Sequence, residues 1–444
     1  MSRIGPYGDG SCSRSYDGTL VLDGTIQTVS VECYVGPKPP KGVPTKAHGG
    51  SANLAMRDGK LAVLGNGHLN LLDCETLAEV ARHPTMVTCG FQGWDRTNFA
   101  EKRVIAGHSV PCGLATIYWL ENGLISVRCG GDIGSTTRGF EFVRVAGDAP
   151  IPQLQRESNQ REWLAICDGN PLSLVTMGGH AFGRTEIEAF CGADVTTIKV
   201  PNLINAPSHL STPDAHYLLS PGNILYQKTA KGADKPTFTE HATGLSVWRV
   251  NRDGTAKNTF TDSTMGVWTG WDGSYAPQPW CLQNGRIYAV TKTTELSVIN
   301  VSTWGATRYA MPSVGFKPRL AVNRAEIPIL CGLGQLCRPA AWTVPVPLDG
   351  DMGNTNKQYT NHQVVDDANV FLCRLIGNSL LIDVRSLKDG KLANRYTVPI
   401  PFADATGQCH DFFAADGALY ALVTPGELPV NSPRKFTQTV VRVS

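Results

Sequence analysis

The sequence predicts an all-β fold in which four-stranded antiparallel sheets stand side by side and close into a ring. Three observations predict it. A six-residue alternating strand recurs along the chain, and tight glycine turns separate alternating apolar runs. In addition, the last repeat stops one strand short while the N-terminal segment has a strand to spare.

Residues 1–50 read as an arm. TLVL (Thr19–Leu22) and IQTVSVEC (Ile26–Cys33) alternate and are β-branched, as strands require. GPKPPKGVPTK (Gly36–Lys46) is Pro-rich and basic, so it reads as extended.

From residue 51 a unit repeats: a short strand, a tight turn, a second strand, then the six-residue strand. The first unit is NLAM-RDG-KLAVLG, Asn53–Gly65. Others begin at Ala115, Glu162, His216, Pro279 and His410, with Asn-Gly, Asp-Gly or Pro-Gly at the turn. Two units, Pro318–Leu330 and Gln363–Cys373, lack the glycine. Asn-Gly and Asp-Gly signal hairpins because a two-residue turn needs positive φ. The six-residue strands are Leu69–Cys74, Phe140–Val145, Val195–Val200, Leu245–Val250, Leu296–Val301, Ser379–Val384 and, shorter, Thr439–Val443. A weaker copy lies at Ala341–Val346.

One such meander cannot bury both faces, so it must stack on copies of itself. Closing the stack gives a β-propeller of four-stranded antiparallel blades over residues 51–444, eight by this reading. Seven is the runner-up, because the unit around residues 317–346 carries Pro328 and Pro345 inside its strands. The strand within 19–33 is expected to pair beside Thr439–Val443 and close the ring.

Charged residues are 18% of the 444 and the formal net charge is +2. Without a basic stripe interleaved with aromatics, nucleic-acid binding is not expected. The N-terminus has no apolar signal core, and no apolar run is long enough for a membrane span. Thirteen cysteines contain no C-x-x-C spacing, which argues against an ordinary zinc site. They read as small buried hydrophobes, or as thiols in a particle oxidised after release.

Candidate sites are few. In a ring of sheets the first strand of each lines the channel, and those strands begin near Glu162, Asp214, His216, Arg319, His362, His410 and Asp411. His216, His362 and His410 would suit a single metal ion, although any wet channel is lined by polar residues. Trp268, Trp271, Tyr275 and Trp280 crowd one segment, as a surface for stacking on sugars or partner proteins requires. LDGDMGNTN (Leu348–Asn356) departs from a calcium loop at its sixth and twelfth positions and reads as a polar turn. GGDIGSTTRG (Gly130–Gly139) lacks the βαβ context of a phosphate cradle. Asn300-Val-Ser302 is a formal sequon on an expected strand. No cofactor motif is present, so none is expected.

The blade pattern resembles the β-propeller superfamily across roughly residues 51–444, without the marks of the WD, kelch or Asp-box families. The composition, long loops and N-terminal arm resemble tailed-phage particles. That resemblance implies a structural or interaction protein of the virion, made in the host cytoplasm and docked on tail, collar or capsid. Its partners would be other virion or scaffold proteins or a surface glycan. The alternative is a carbohydrate-active lyase or glycosidase working at the channel mouth. The reading leans away from catalysis.

Overall fold

The computed structural model describes residues 15–36, 53–65, 68–85, 87–89, 110–112, 115–120, 123–129, 140–148, 161–167, 170–177, 184–191, 194–200, 208–211, 216–220, 222–228, 237–242, 245–250, 256–265, 267–268, 280–292, 294–313, 319–332, 334–348, 362–400, 408–424 and 434–444. All regular structure among these residues is β.

Eight antiparallel sheets of three or four strands follow one another, an architecture consistent with a β-propeller. The first joins Ala55–Arg57, Lys60–Leu64, His68–Asp73 and Glu79–Pro84; the second joins Ala115–Trp119, Leu124–Cys129 and Phe140–Arg144. The third uses Arg161–Cys167, Asn170–Met177, Arg184–Cys191 and Asp194–Val200, the fourth Ser208–Ser211, His216–Ser220, Leu245–Val250 and Ala256–Asp262. Trp280–Gln283, Arg286–Lys292, Glu295–Asn300 and Ala306–Ala310 form the fifth; Arg319–Val322, Pro328–Gly332, Gln335–Cys337 and Val346–Pro347 form the sixth. The seventh is His362–Val365, Asn369–Ile376, Ser379–Ser386 and Leu392–Pro399. The eighth takes Gln408–Ala415, Ala418–Thr424 and Arg434–Val443 from the C-terminal region and Ile26–Gly36 from the arm.

Three hairpin turns form where the sequence places them. Asp58 and Gly59, Asn284 and Gly285, and Asp416 and Gly417 all have positive φ, as a two-residue turn demands. A second turn repeats between third and fourth strands. Asp73, Asn300 and Ser386 each open it, accepting at their backbone oxygen from the N–H four residues on, at Leu77, Trp304 and Gly390. Those three residues all have positive φ. Asp73 Oδ1 also accepts from the Thr76 N–H and hydroxyl at 2.8 Å each; Asn300 Oδ1 does the same work toward Ser302 and Thr303. Asn300 is the last residue of its strand, and its side chain is engaged in the turn that follows.

Packing follows from parity. Along the second strand of the seventh sheet, Val370 and Leu372 face the sixth sheet, while Phe371, Cys373 and Leu375 face the eighth. Successive sheets share clusters in this way: the fourth with the fifth, the fifth with the sixth and seventh, the seventh with the eighth. The eighth also packs on the first, through Phe413, Tyr420, Leu422 and Val440 against Leu54, Met56, Leu61 and Val63. Each such side chain taken from water contributes about 1.5–3 kcal/mol before entropy is counted.

Ile26–Gly36 pairs where the sequence places the arm, but Thr19–Leu22, expected as a strand, is not one. Ile26 lies opposite Val443 and Ser30 opposite Thr439, antiparallel, and the Ser444 carbonyl accepts from the Gly24 and Thr25 N–H groups. Leu20 packs in the cluster between the seventh and eighth sheets, and Val29 and Val31 pack in the cluster between the eighth and first. Gly65 lets the arm come close: a Cβ there would lie 2.9 Å from the Glu32 carbonyl oxygen and 3.1 Å from Val31 Cγ1. Upstream, the Tyr16 N–H donates to the Val365 carbonyl and the Leu20 N–H to Asp366 Oδ2.

Three expectations are corrected. His216–Lys228 is not a hairpin: Gly222–Lys228 pairs with Thr237–Ala242 and Val267–Trp268 in a separate three-stranded sheet, and Ser208–Ser211 becomes the partner of His216–Ser220. Val195–Val200 is a fourth strand, not the third, because Arg184–Cys191 inserts between it and the second. The weak sixth unit forms a full sheet, but its third strand is Gln335–Cys337 and not Ala341–Val346, of which only Val346 is in a strand. Pro328 is the first residue of its strand and Pro345 precedes one, where a missing N–H is tolerated.

Two outcomes test this account. Val31→Asp sets a charge in the apolar seam and is expected to cost about 3 kcal/mol or more, whereas Thr28→Asp on the exposed face of the same strand stays within about 0.5 kcal/mol, both read by urea unfolding. Thr76, through its hydroxyl first and then its N–H, holds the Asp73 carboxyl below its ordinary pKa of 3.8. The stabilisation it gives is therefore complete above that ordinary value and lost as pH falls through the lowered one. Asp73→Asn is expected to match the parent at about pH 7 and to lose less stability on acidification toward about pH 3, because Asn300 makes the same contacts uncharged.

Candidate functional site

The first strands of neighbouring sheets touch one another from the third sheet through to the eighth, and again between the first and second. Their starting ends make the rim where the sequence places its candidates. Polar residues at this rim divide into two groups.

The larger group bonds sheet to sheet. Asn53 is fully buried, with its amide oxygen 2.9 Å from the Ile117 N–H and its Nδ2 donating to the Ile117 carbonyl at 2.8 Å. One side chain thus copies a strand neighbour and joins the first sheet to the second. Asp411, 5% exposed, accepts the Leu54 N–H at Oδ2, 2.8 Å, joining the eighth to the first. The same seam holds the Tyr420 hydroxyl on the Cys74 carbonyl at 3.0 Å and the Gln438 amide on the Leu64 carbonyl. Tyr420 stacks on Phe413 at 5.2 Å, and burial pushes its phenol up to about 12. Between the sixth and seventh sheets Gln363 donates to the Arg319 and Ile329 carbonyls at 3.0 and 3.1 Å, and Asn323 donates to the Asp366 carbonyl at 3.1 Å.

The second group is basic. Arg319, His362 and His410 stand at or near the starts of the first strands of three successive sheets, the sixth, seventh and eighth. Arg319 lies opposite Cys331 and His362 opposite Cys373, each on the second strand of its own sheet, so the two occupy one level. His410 sits within a bulge between Cys409 and Asp411, half-buried, with Nε2 2.6 Å from the Thr424 hydroxyl. Just beneath, the buried Sγ atoms of Cys373 and Cys409 are 3.5 Å apart.

The other expected residues fall elsewhere. His216 is on a second strand, since Ser208–Ser211 takes the edge that meets the neighbouring first strands. Hence the three histidines do not share a position in their sheets. Glu162 is the second residue of a first strand, and Asp214 lies outside the described residues. Trp268 is in the separate three-stranded sheet, opposite Asn223, while Trp280 opens the first strand of the fifth sheet. Trp271, Tyr275, residues 130–139 and residues 349–356 lie outside the described residues. Among the described residues no three His, Cys, Asp or Glu side chains are grouped to hold a metal ion. The Cys373–Cys409 contact and the Asn53 pairing escaped sequence reasoning. Their one visible signal is that Cys409 adjoins a rim histidine.

No protein-family model matches the chain, and no curated protein matches it. Similar solved structures include a europium-containing methanol dehydrogenase, TM-score 0.48 and 9% identity, covering 100% of this chain and 98% of that one. A quinohemoprotein alcohol dehydrogenase from Pseudomonas putida HK5 has TM-score 0.40 and 11% identity over 100% of this chain and 80% of that one. A quinonprotein alcohol dehydrogenase-like protein from Bacteroides thetaiotaomicron has TM-score 0.37 and 13% identity over 79% and 66%. These are dehydrogenases and a dehydrogenase-like protein, not virion components or carbohydrate-active enzymes. The expected phage-virion role is corrected, since no virion component is among these likenesses. Composition and loop length misled because any ring of sheets with long connections shares them. Likeness at this level carries no residue role to this chain.

Asn53→Ala leaves a buried N–H and a buried carbonyl of Ile117 without that side chain. The expected loss is about 3 kcal/mol, measured by urea unfolding.

Proposed function

We propose that the chain is an eight-bladed propeller whose ring is closed by the N-terminal strand, with residues 1–50 as arm and 51–444 as ring. We propose further that it binds a small anionic ligand, a carboxylate or phosphate, at the rim where the first strands begin. The pairing of Ile26–Gly36 with Arg434–Val443, and the packing of the eighth sheet on the first, support the closed ring.

The observation that carries the ligand reading is the run Arg319, His362, His410 on three successive first strands. A guanidinium stays charged at all working pH, and imidazole adds charge below about pH 6.5. Asp411, next to His410 in the chain, accepts the Leu54 and Phe412 N–H groups. Gln363 fixes the backbone at Arg319 from the adjacent sheet, so the spacing of the basic positions is set by the frame.

Inorganic phosphate and citrate serve as probes. Either is expected to raise the melting temperature of the parent protein, more at about pH 6 than at about pH 8, because both imidazoles gain charge. At a hundredfold excess over its dissociation constant a ligand adds about 2.7 kcal/mol. His362→Ala with His410→Ala should abolish the pH-dependent part. Absence of any shift, or a shift unchanged in the double variant, rules the reading out. Alcohol oxidation on adding a quinone cofactor, lost in His410→Ala, would replace it.

A further inference from the structure

The seam between the seventh and eighth sheets holds two thiols that the rim does not use. Cys373 is on the second strand of the seventh sheet and Cys409 on the first strand of the eighth. Both are buried in one apolar cluster with Phe371, Leu375, Phe412 and Val423. Their sulfurs are 3.5 Å apart. A bulge between Cys409 and Asp411 interrupts the ladder at this point, and bulges re-aim the side chain they carry. Cys409 Sγ also lies 3.2 Å from the Asp411 carbonyl oxygen, which fixes it in the seam.

Of the other cysteines whose side chains are described, Cys74, Cys281, Cys331 and Cys337, none is so placed. Cys331 and Cys337 lie on adjacent strands, but Cys331 is opposite Leu336 and Cys337 opposite Leu330, so they face opposite sides of their sheet. Cys74 and Cys281 belong to two other clusters. A disulfide has sulfurs about 2.05 Å apart, so Cys373 and Cys409 need to close by about 1.5 Å, which modest side-chain rotation supplies.

We propose that Cys373 and Cys409 form a reversible disulfide that fastens the seventh sheet to the eighth, made by exchange with a low-molecular-weight disulfide. Cys409 Sγ gives its proton to solvent and bonds to one sulfur of the small disulfide, whose other half leaves as thiolate. Cys373 Sγ then bonds to Cys409 Sγ, and the second small thiol leaves with the Cys373 proton. Two protein thiols are oxidised and one small disulfide is reduced to two thiols, so the exchange balances. Burial, with the neighbouring thiol adding to it, holds the Cys373 thiol well above its ordinary pKa. Exchange therefore proceeds when the seam opens, and the finished bridge prevents that opening.

The test uses the full chain, reduced with dithiothreitol or equilibrated with oxidised glutathione, then alkylated, digested and mapped by mass spectrometry. The expected result is a peptide pair joined at Cys373 and Cys409, two hydrogens lighter than the separate peptides. Cys74, Cys281, Cys331 and Cys337 should be alkylated only after denaturation. The bridged protein should unfold at least about tenfold more slowly than the reduced one, since the bridge closes a loop between residues 36 apart in sequence. Cys373→Ala and Cys409→Ala should each remove the difference, and Cys331→Ala should keep it. No linked pair in the oxidised parent, or an unchanged unfolding rate when the pair is linked, overturns the proposal. The peptide map needs no variant, so a substitution that fails to fold leaves the test intact. Binding of phosphate or citrate at the rim is a separate readout, and its failure leaves the bridge standing.

Discussion

The fifth, seventh and eighth sheets are apolar on both faces, and the architecture follows from that constraint. In the seventh sheet even-numbered residues of the second strand enter one cluster and odd-numbered residues enter the next. Water can be kept from both faces only by a sheet on either side, so no unit is stable alone. The short hairpins and five-residue turns set the strand spacing, but they do not choose the neighbours. Neighbour choice lies in the clusters, and in the polar side chains that cross from one sheet to the backbone of the next.

Those crossings satisfy a second requirement. First strands lie at an edge of their sheets and carry backbone groups with no ladder partner on that side. Asn53, Asp411, Gln363 and Asn323 supply partners from adjacent sheets. Side chains that read as candidates for chemistry in a linear sequence are thus consumed in joining sheets. Arg319, His362 and His410 stand at the same rim, and their positions inherit the rigidity of the joints around them.

Much of the fold was legible because turn chemistry is local. Asp58-Gly59, Asn284-Gly285 and Asp416-Gly417 announce two positive φ values in adjacent residues, and the structure has them. The role of Ile26–Cys33 was legible from a deficit, since the last unit lacked a fourth strand and the arm carried one. The fourth sheet was not legible. Pro221-Gly222 looked like a turn, and the four residues Ser208–Ser211 are too short to announce a strand. At the rim the basic run was visible, but its ordering required knowing that His216 is displaced to a second strand. The Cys373–Cys409 contact was invisible because it joins two sheets across a gap in sequence that no periodicity marks.

Ile26 and Val443, paired in the eighth sheet, are separated by 417 positions, 443 less 26. At about 5–20 residues per second a ribosome needs roughly 20–80 s to make the stretch between them. Through that interval the leading strand has no ladder to join, and the seam cluster holding Val29 and Val31 lacks the side chains that the eighth sheet contributes. Nascent chains in this condition are the natural clients of chaperones, and slow synthesis lengthens the exposure. Assembly of this molecule is in that sense timed by its last strand, not by its first.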